Sequence, residues 1–445
     1  MKLFVNLSTA LWAICFLALP VALLAQEDIA QDSGEEAEPA VFDVAVQLES
    51  FDKVWDTIKN VHWEPERVGE NWDAAREKFR PQVENAADIQ TVRTAMEELL
   101  ATLEQSHFGI IPQEAFDDVD EEQQDAGDGT SGLEIRLIED QLVVTRVFAG
   151  LPADESGVQP GWQVKLIGNR TADEILLGAE KLAEHSVMRK ETAVGLICDA
   201  RTAGTVDEDL AYAFVDHEDN IQLLYLKQTK APGTNEKFGH LPAFNVDFQS
   251  QLLSYDVGYI GFNAFIGVSR LSSEFKDAVN EYSDKKGLII DMRGNRGGII
   301  GLVAGMCGWF AESKDPIGKM QMSGGKEIRL ALNPRKPRFE KPIAVLIDSC
   351  SISSAEIMSG GLQDLGLARV FGSTSAGLVL PSTVAKLPNG DRFQYAISGY
   401  LSASGESLEG IGVIPDEKID LTKEMLSKGD DPVLEAAKKW ILEQQ

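Results

Sequence analysis

Apolar residues spaced i, i+3, i+4, i+7 at Phe51, Val54, Trp55 and Ile58, and again through Val92, Met96, Leu99, Leu100 and Leu103, predict two amphipathic helices. They define a small helical domain over 41–113. From Leu133 the pattern changes to short apolar runs, Leu133–Leu137 and Leu142–Val147, separated by polar turns, which predict a β-rich domain over 129–230. Beyond Pro232 strand and helix patterns alternate: a strand at Val257–Phe262, a helix at Ser272–Tyr282 with Phe275, Val279 and Tyr282 inward, and a strand running into the turn that ends at Gly298. Four apolar residues, Ala344–Ile347, then lead into a hydroxyl-rich turn, Asp348–Ser354. Helix periodicity follows at Ile357, Met358, Gly361, Leu362 and Leu365. This α/β domain spans 235–425 and a C-terminal helix spans 426–445, so the fold class is multidomain α+β.

Charge divides the chain at the same places. Gln26–Pro39 carries six acids and no base, and Asp117–Asp128 carries seven acids, so both read as solvated linkers, the first occupying 26–40. Residues 1–25 combine Lys2, an apolar run from Leu11 to Leu24 broken by Pro20, and small residues near Ala25, the pattern of a secretory signal peptide. Export follows, to the periplasm, the cell surface or the medium; Leu23, a poor residue three places before a cut at Ala25, leaves a retained membrane tether open.

With 445 residues, 44% of them hydrophobic, the chain can build two or three cores. A formal net charge of -30 excludes a role on nucleic acid or an anionic membrane surface. After the leader only Cys198, Cys307 and Cys350 remain, without C-x-x-C spacing, so neither a zinc knuckle nor a disulfide framework is expected. The glycine-rich turn at 287–298 fits neither nucleotide-binding spacing, and no metal or cofactor is expected.

The candidate chemistry sits where Ala344–Ile347 delivers hydroxyls to a helix start, because unpaired helix N–H groups favour a nucleophile and a developing oxyanion. Ser353 is the candidate nucleophile. Ser353-x-x-Glu356 is equally a capping box, in which the serine only satisfies helix N–H groups. Cys350 is a weaker candidate, since the buried end of a strand is an ordinary place for an inert cysteine. Of the five histidines, at 62, 107, 185, 217 and 240, His107 is the best placed base: it ends a helix beside Ser106.

Gly132-Leu133 opening a strand, followed by the sequence from Pro152 through Gly157-Val158 and Pro160-Gly161-Trp162 to Val164, resembles the PDZ domains of bacterial proteases. That resemblance implies an open strand edge for an extended peptide, with Gly132, Leu133 and Ile135 as peptide-binding residues. Glu134 departs from a carboxylate-binding loop, and a plain β-rich spacer is the bland reading. The series VGYIGFNAF, GLIIDMRGNRGG, SISSAE and GVIPD, in that order from about Phe51 to Asp416, resembles the C-terminal-processing (tail-specific) and tricorn-core family of serine peptidases. That family implies a crotonase-like or ClpP-like α/β catalytic domain, Ser353 as nucleophile, and an oxyanion hole from Gly297 or Gly298 with Ser354.

The family divides over its general base. The lysine of tail-specific members is missing from Thr374-Ser375-Ala376-Gly377-Leu378, and Lys386 stands too far along to replace it. Tricorn-like members use a histidine in a D-S-H segment and a late glutamate, which match Ser106-His107, with Gln105 in place of the aspartate, and Glu409. The resemblance therefore implies Ser353 as nucleophile, His107 as general base and acid, Glu409 as the group that orients the imidazole, and Ser106 as a polarising residue. Asp364 is read as structural. The expected activity is hydrolysis of protein or peptide substrates through an acyl-enzyme. Two alternatives remain at this point: an exported, catalytically inactive peptide-binding protein, and a lysine-type peptidase using Lys386.

Overall fold

The computed structural model describes residues 14–15, 42–113, 129–184, 186–236, 244–429 and 431–445. The rest of the leader, both acidic linkers, His185 and His240 lie outside the described residues.

Helices α1 (Val44–Val61), α2 (Glu70–Glu84) and α3 (Ile89–Ala101) form the first layer. Asp43 and Asp88 cap α1 and α3 by accepting the N–H groups of Ala45 (2.9 Å) and Thr91 (2.8 Å). The apolar faces of α1 and α3 close over Trp72, Phe79 and Val83 of α2, and Leu387 and Phe393 from the far end of the chain complete that core. After α3, strand β1 (Gly109–Ile111) pairs antiparallel with Arg392–Ala396, Ile110 opposite Phe393. Arg93 on α3 forks onto Asp391, Nε to Oδ2 at 3.0 Å and Nη2 to Oδ1 at 2.7 Å, and Asp391 also accepts the Gln113 N–H. Thus the loop carrying His107 is clamped to the α/β half from both sides.

The Arg93–Asp391 pair is buried, so removing the carboxylate from the guanidinium is costly. Asp391→Ala is expected to lower stability by about 3 kcal/mol, the low end of the range for broken buried pairs. The reason is Glu97, which burial pushes up to about 7 and which lies close enough to feel Arg93 and Asp391. It can ionise in Asp391's place. Urea unfolding measures the loss, and an unchanged midpoint would mean the clamp is idle.

The β-rich body is an antiparallel sheet. Its strands are β2 (Leu133–Ile138), β3 (Gln141–Val147), β4 (Gln163–Ile167), β5 (Asp209–Val215) and β6 (Ile221–Lys227), ordered β6-β5-β4-β3-β2. Helices α4 (Ala172–Glu184) and α5 (Lys190–Thr202) cover one face. The apolar cluster of this body includes Ile352, Ala376 and Leu378, so it packs directly on the turn that carries Ser353.

The α/β half has a six-stranded sheet in the order Phe248–Leu253, Val257–Phe262, Gly287–Asp291, Ile343–Ile347, Arg369–Gly372, Glu417–Lys418, parallel after its first pair. Its inner strands are buried throughout, as helices on both faces require. The helix expected at Ser272–Tyr282 starts a turn earlier, at Val268, because Gly267 takes φ +73° and turns the chain into it. The C-terminal helix is shorter than expected, Pro432–Glu443, and lays Val433, Ala437 and Ile441 on the sheet.

Candidate active site

Ile343–Ile347 ends at the sheet's carboxyl edge, and the chain turns through Asp348–Ser353 into helix α6 (Ser354–Asp364). Asp348 organises this turn. It accepts the N–H groups of Gly294 (2.9 Å) and Cys350 (3.0 Å), and Arg136 of β2 reaches it at 3.2 Å. Arg136 is buried among Asp199, Glu134 and Asp348, and these carboxylates hold its guanidinium well above its ordinary value although burial opposes its charge. The β-rich body thereby reaches the nucleophile turn through one cation.

Ser353 is fully buried with φ +63° and ψ −113°. A non-glycine residue held there stores on the order of 1–3 kcal/mol of strain, which surrounding contacts must offset. The capping-box arrangement surrounds it, and its N–H donates to Glu356 Oε2 at 2.9 Å. Its Oγ, however, is buried without a hydrogen-bond partner. Glu356 further accepts Ser375 Oγ (2.6 Å) and the N–H groups of Gly377 (2.7 Å) and Leu378 (3.0 Å). Burial raises its pKa while these donors pull it down. Sequence reasoning treated Glu356 only as a cap residue and missed Ser375; no local pattern marks either, because Glu356 is buried by the packing of the whole helix from Ser354 to Leu362.

His107 also carries a positive φ, +62°, and is 2% exposed. Its Nδ1 lies 2.7 Å from Ser106 Oγ, which lies 3.1 Å from Glu409 Oε2; the Ser106 N–H donates to Glu409 Oε1 at 2.7 Å. Val379 N–H completes the Glu409 shell at 3.0 Å. His107, Ser106 and Glu409 are thus brought together, with Ser106 between the other two. Adjacent residues Leu378 and Val379 donate to Glu356 and Glu409 respectively, so the nucleophile turn and the histidine chain hang on one piece of backbone. Leu378 is itself buried.

His107 Nε2 is the second buried atom of this region without a partner. No hydrogen bond joins it to Ser353 Oγ, and such bonds commonly tighten only around substrate. Donor counting fixes the roles when Glu409 is ionised. A carboxylate only accepts, so the single Ser106 hydroxyl proton goes to Glu409, and Ser106 Oγ must accept from His107 Nδ1–H. Nε2 is then the bare, basic nitrogen.

Of the two glycines, Gly297 donates its N–H to Asn295 Oδ1 (2.9 Å), so that N–H is engaged by the Asn295 side chain. Ser354 Oγ donates to Gly298 O at 3.0 Å and ties the start of α6 to the glycine turn. Leu133 and Ile135 are buried in the core against α5 rather than presented to solvent, so at β2 only backbone is left for a peptide. Gly132, at φ +78°, donates its N–H to Thr130 Oγ1. Gln105 faces His62 (2.9 Å) and Glu64 (2.7 Å), away from the histidine chain.

Cys350 is buried and burial pushes its thiol up to about 12, which fits an inert residue. Lys386 is exposed on a hairpin strand, at odds with a buried general base. Asp364 accepts Ser404 N–H at 2.8 Å. Among the described residues no group of three or more His, Cys, Asp or Glu is arranged to hold a metal ion. A cleft of about 570 Å³ opens between the β-rich body and the 291–296 turn, lined by Glu134, Arg136 and Arg296 among others; it does not reach Ser353, His107 or Glu409.

Residues 256–419 match peptidase family S41 and residues 46–101 match the tricorn protease C1 domain. The chain is 24% identical over 296 residues to a probable CtpA-like serine protease of Staphylococcus aureus, 66% of this chain and 53% of that protein. It therefore spans about half the length of the first curated relatives it matches. A carboxyl-terminal-processing protease of Synechocystis is 23% identical over 373 residues, covering 82% of this chain and 79% of that one. Among solved structures, the photosystem II D1 C-terminal processing protease superposes with a TM-score of 0.57 at 19% identity, over 87% of this chain and 98% of its own. Mature CPAF complexed with lactacystin gives 0.58 at 12% identity, over 89% and 98%. These likenesses establish a mixed α/β protease fold.

Proposed function

We propose that this chain, whose residues 256–419 match peptidase family S41, is an exported serine endopeptidase of the C-terminal-processing type, with Ser353 as nucleophile, His107 as general base and acid, and Glu409 acting on His107 through Ser106. One observation carries the reading: two buried reactive atoms, Ser353 Oγ and His107 Nε2, are left without partners in a region where nearly every other polar atom is bonded. Burial of an unsatisfied polar group costs about 1–3 kcal/mol, so two together mark a site kept for chemistry.

In the proposed reaction the Ser353 Oγ–H proton passes to His107 Nε2 as Oγ attacks the scissile carbonyl. Its oxygen becomes an oxyanion, held by the N–H groups of Gly298 and Ser354. The imidazolium donates through Nδ1–H to Ser106, whose own proton stays on the Glu409 side. Nε2–H then protonates the leaving amine, an ester to Ser353 remains, and water deprotonated by His107 releases it. An extended chain fits beside the oxyanion turn: Ile14–Cys15 runs antiparallel to Gly298–Ile299, with Ile14 also opposite Ser382.

The β-rich body is assigned as a PDZ-like domain that captures an extended or C-terminal segment by backbone pairing at the edge strand β2, the last strand of its sheet. Substrates are unfolded or tail-presented proteins. Export rests on the leader; among the described residues no helix is long and apolar enough to cross a membrane. The catalytically inactive binding protein is not favoured, because such a protein has no use for a buried His107–Ser106–Glu409 chain.

A fluorophosphonate probe tests the nucleophile: it should label wild-type protein at Ser353, and folded protein that never labels would sink the reading. The pH profile tests the chain behind it. Burial pushes Glu409 up to about 7, against hydrogen bonds from Val379 and Ser106 that favour its charged form, and Glu356 adds to the rise. Below that pH a protonated Glu409 can donate to Ser106, which then donates to Nδ1 and places the imidazole proton on Nε2, the wrong nitrogen. Burial holds His107 down at about 3, so the base itself stays neutral through this window. Activity as kcat/KM should rise with pH to a plateau, with a midpoint near 7, and Glu409→Gln should lower the plateau and flatten that rise. An unaltered profile in Glu409→Gln would detach Glu409 from the mechanism.

A further inference from the structure

The sheet that β1 joins just after His107 also holds a strand from the start of the chain. Its order is Gly298–Ile299, Ile14–Cys15, Ser382–Lys386, Arg392–Ala396 and β1. Ile14 lies opposite both Ile299 and Ser382, and Cys15 opposite Gly298, all antiparallel. Gly298–Ile299 is held from its other side: the Ile299 N–H donates to Phe265 O at 2.8 Å, and the Phe265 N–H to Gly297 O at 2.7 Å. At Gly298, φ +136°, a Cβ would sit 2.5 Å from that same Phe265 carbonyl oxygen, so only glycine allows the approach. Ser382–Lys386 is held by Arg392–Ala396, which pairs in turn with β1. Each wall is fixed from behind, and the two face each other across one strand, about 9.6 Å at two strand spacings.

We propose that in the uncleaved chain this slot is closed by the protein's own leader, so that removing the leader opens the glycine turn to other chains. Gly298, Ile299 and Ser382 are buried, and their backbone groups that face the slot need partners there, which an extended chain supplies. The leader has the right chemistry for the place: residues 11–19, LWAICFLAL, carry no charge, and Ile299 and Phe265 make one wall apolar. Because the leader is covalently attached, it competes with a free chain at an effective concentration on the order of millimolar. A leader in the slot is not in a membrane, so a membrane tether and a closed slot exclude each other. The inference rests on the peptidase reading only in calling the excluded chain a substrate; the occupancy itself does not need Ser353 to react.

Disulfide trapping tests the occupancy without reference to activity. In the full chain carrying Cys15→Ser, Ile14→Cys and Ser382→Cys, oxidised glutathione should close a disulfide between positions 14 and 382, read by mass as a cross-linked tryptic peptide. The remaining cysteines, 198, 307 and 350, are buried. Ile14→Cys with Ile299→Cys, also in Cys15→Ser, should cross-link as well and serves if Ser382→Cys fails to fold. Leu223→Cys, 71% exposed on the β-rich body, replaces the slot cysteine as a collision control and should stay reduced. Ile14→Pro with Cys15→Pro removes both backbone N–H groups and should open the slot. A fluorescein-labelled peptide of residues 11–19, with a solubilising lysine pair appended, should then bind that full-length variant at least tenfold more tightly than wild type by fluorescence anisotropy. Cross-linking at both slot pairs no greater than in the control would overturn the proposal, as would equal binding of the peptide by both chains. A chain that cross-links, and that opens with the prolines, yet never reacts with a fluorophosphonate would keep the leader in the slot and remove the peptidase reading instead.

Discussion

Ser353→Ala is expected to lower turnover of an unfolded substrate such as casein by roughly six orders of magnitude while leaving the fold intact. The size follows from the way nucleophile and base act as a unit: without Oγ no acyl-enzyme forms, and only the oxyanion donors and binding remain to accelerate attack by water. The effect on stability separates this role from capping. Ser353 Oγ makes no hydrogen bond, so its removal deletes a buried unsatisfied group, and the urea midpoint should hold or rise slightly. If Ser353 were chiefly a cap, the same change would lose about 1 kcal/mol and spare activity. Loss of stability with retained turnover is therefore the result that would overturn the assignment.

His107→Ala should cost nearly as much turnover, roughly four to six orders of magnitude, since Ser353 then has no base. Adding it to Ser353→Ala should cost almost nothing further. That non-additivity is the sharper test, because two residues that contributed independently would multiply their effects. The alanine also leaves Ser106 and Glu409 bonded to each other through the Ser106 N–H, so the surrounding loop should keep its place. Full activity in His107→Ala would shift the base to another group. Lys386 is poorly placed to be that group, since its side chain is in solvent.

Much of this protein was legible locally. Helix period at Phe51–Ile58 and Val92–Leu103, unbroken apolar runs at Val257–Phe262 and Ala344–Ile347, and a serine-rich turn between strand and helix are short-range patterns, and local sterics with solvent exclusion largely fix what they become. Motif order also pointed to Ser353, Ser106, His107 and Glu409 as one group. What the sequence left open was every question about which polar atom meets which. Whether the Gly297 N–H is free or engaged turns on the side chain of Asn295, and whether Ser353 is a cap or a free hydroxyl turns on Glu356 holding its N–H and not its Oγ. The Ser106–Glu409 bond spans 303 residues, and Arg136 reaches Asp348 across 212. Hydrogen bonds are directional and short, so their partners are chosen only when packing has fixed backbones to within a fraction of an ångström. The sequence by itself determined the elements, their order and the residues able to react; tertiary structure alone decided which of those residues were left with an unpaired atom, because that choice is made by long-range packing that no local pattern encodes.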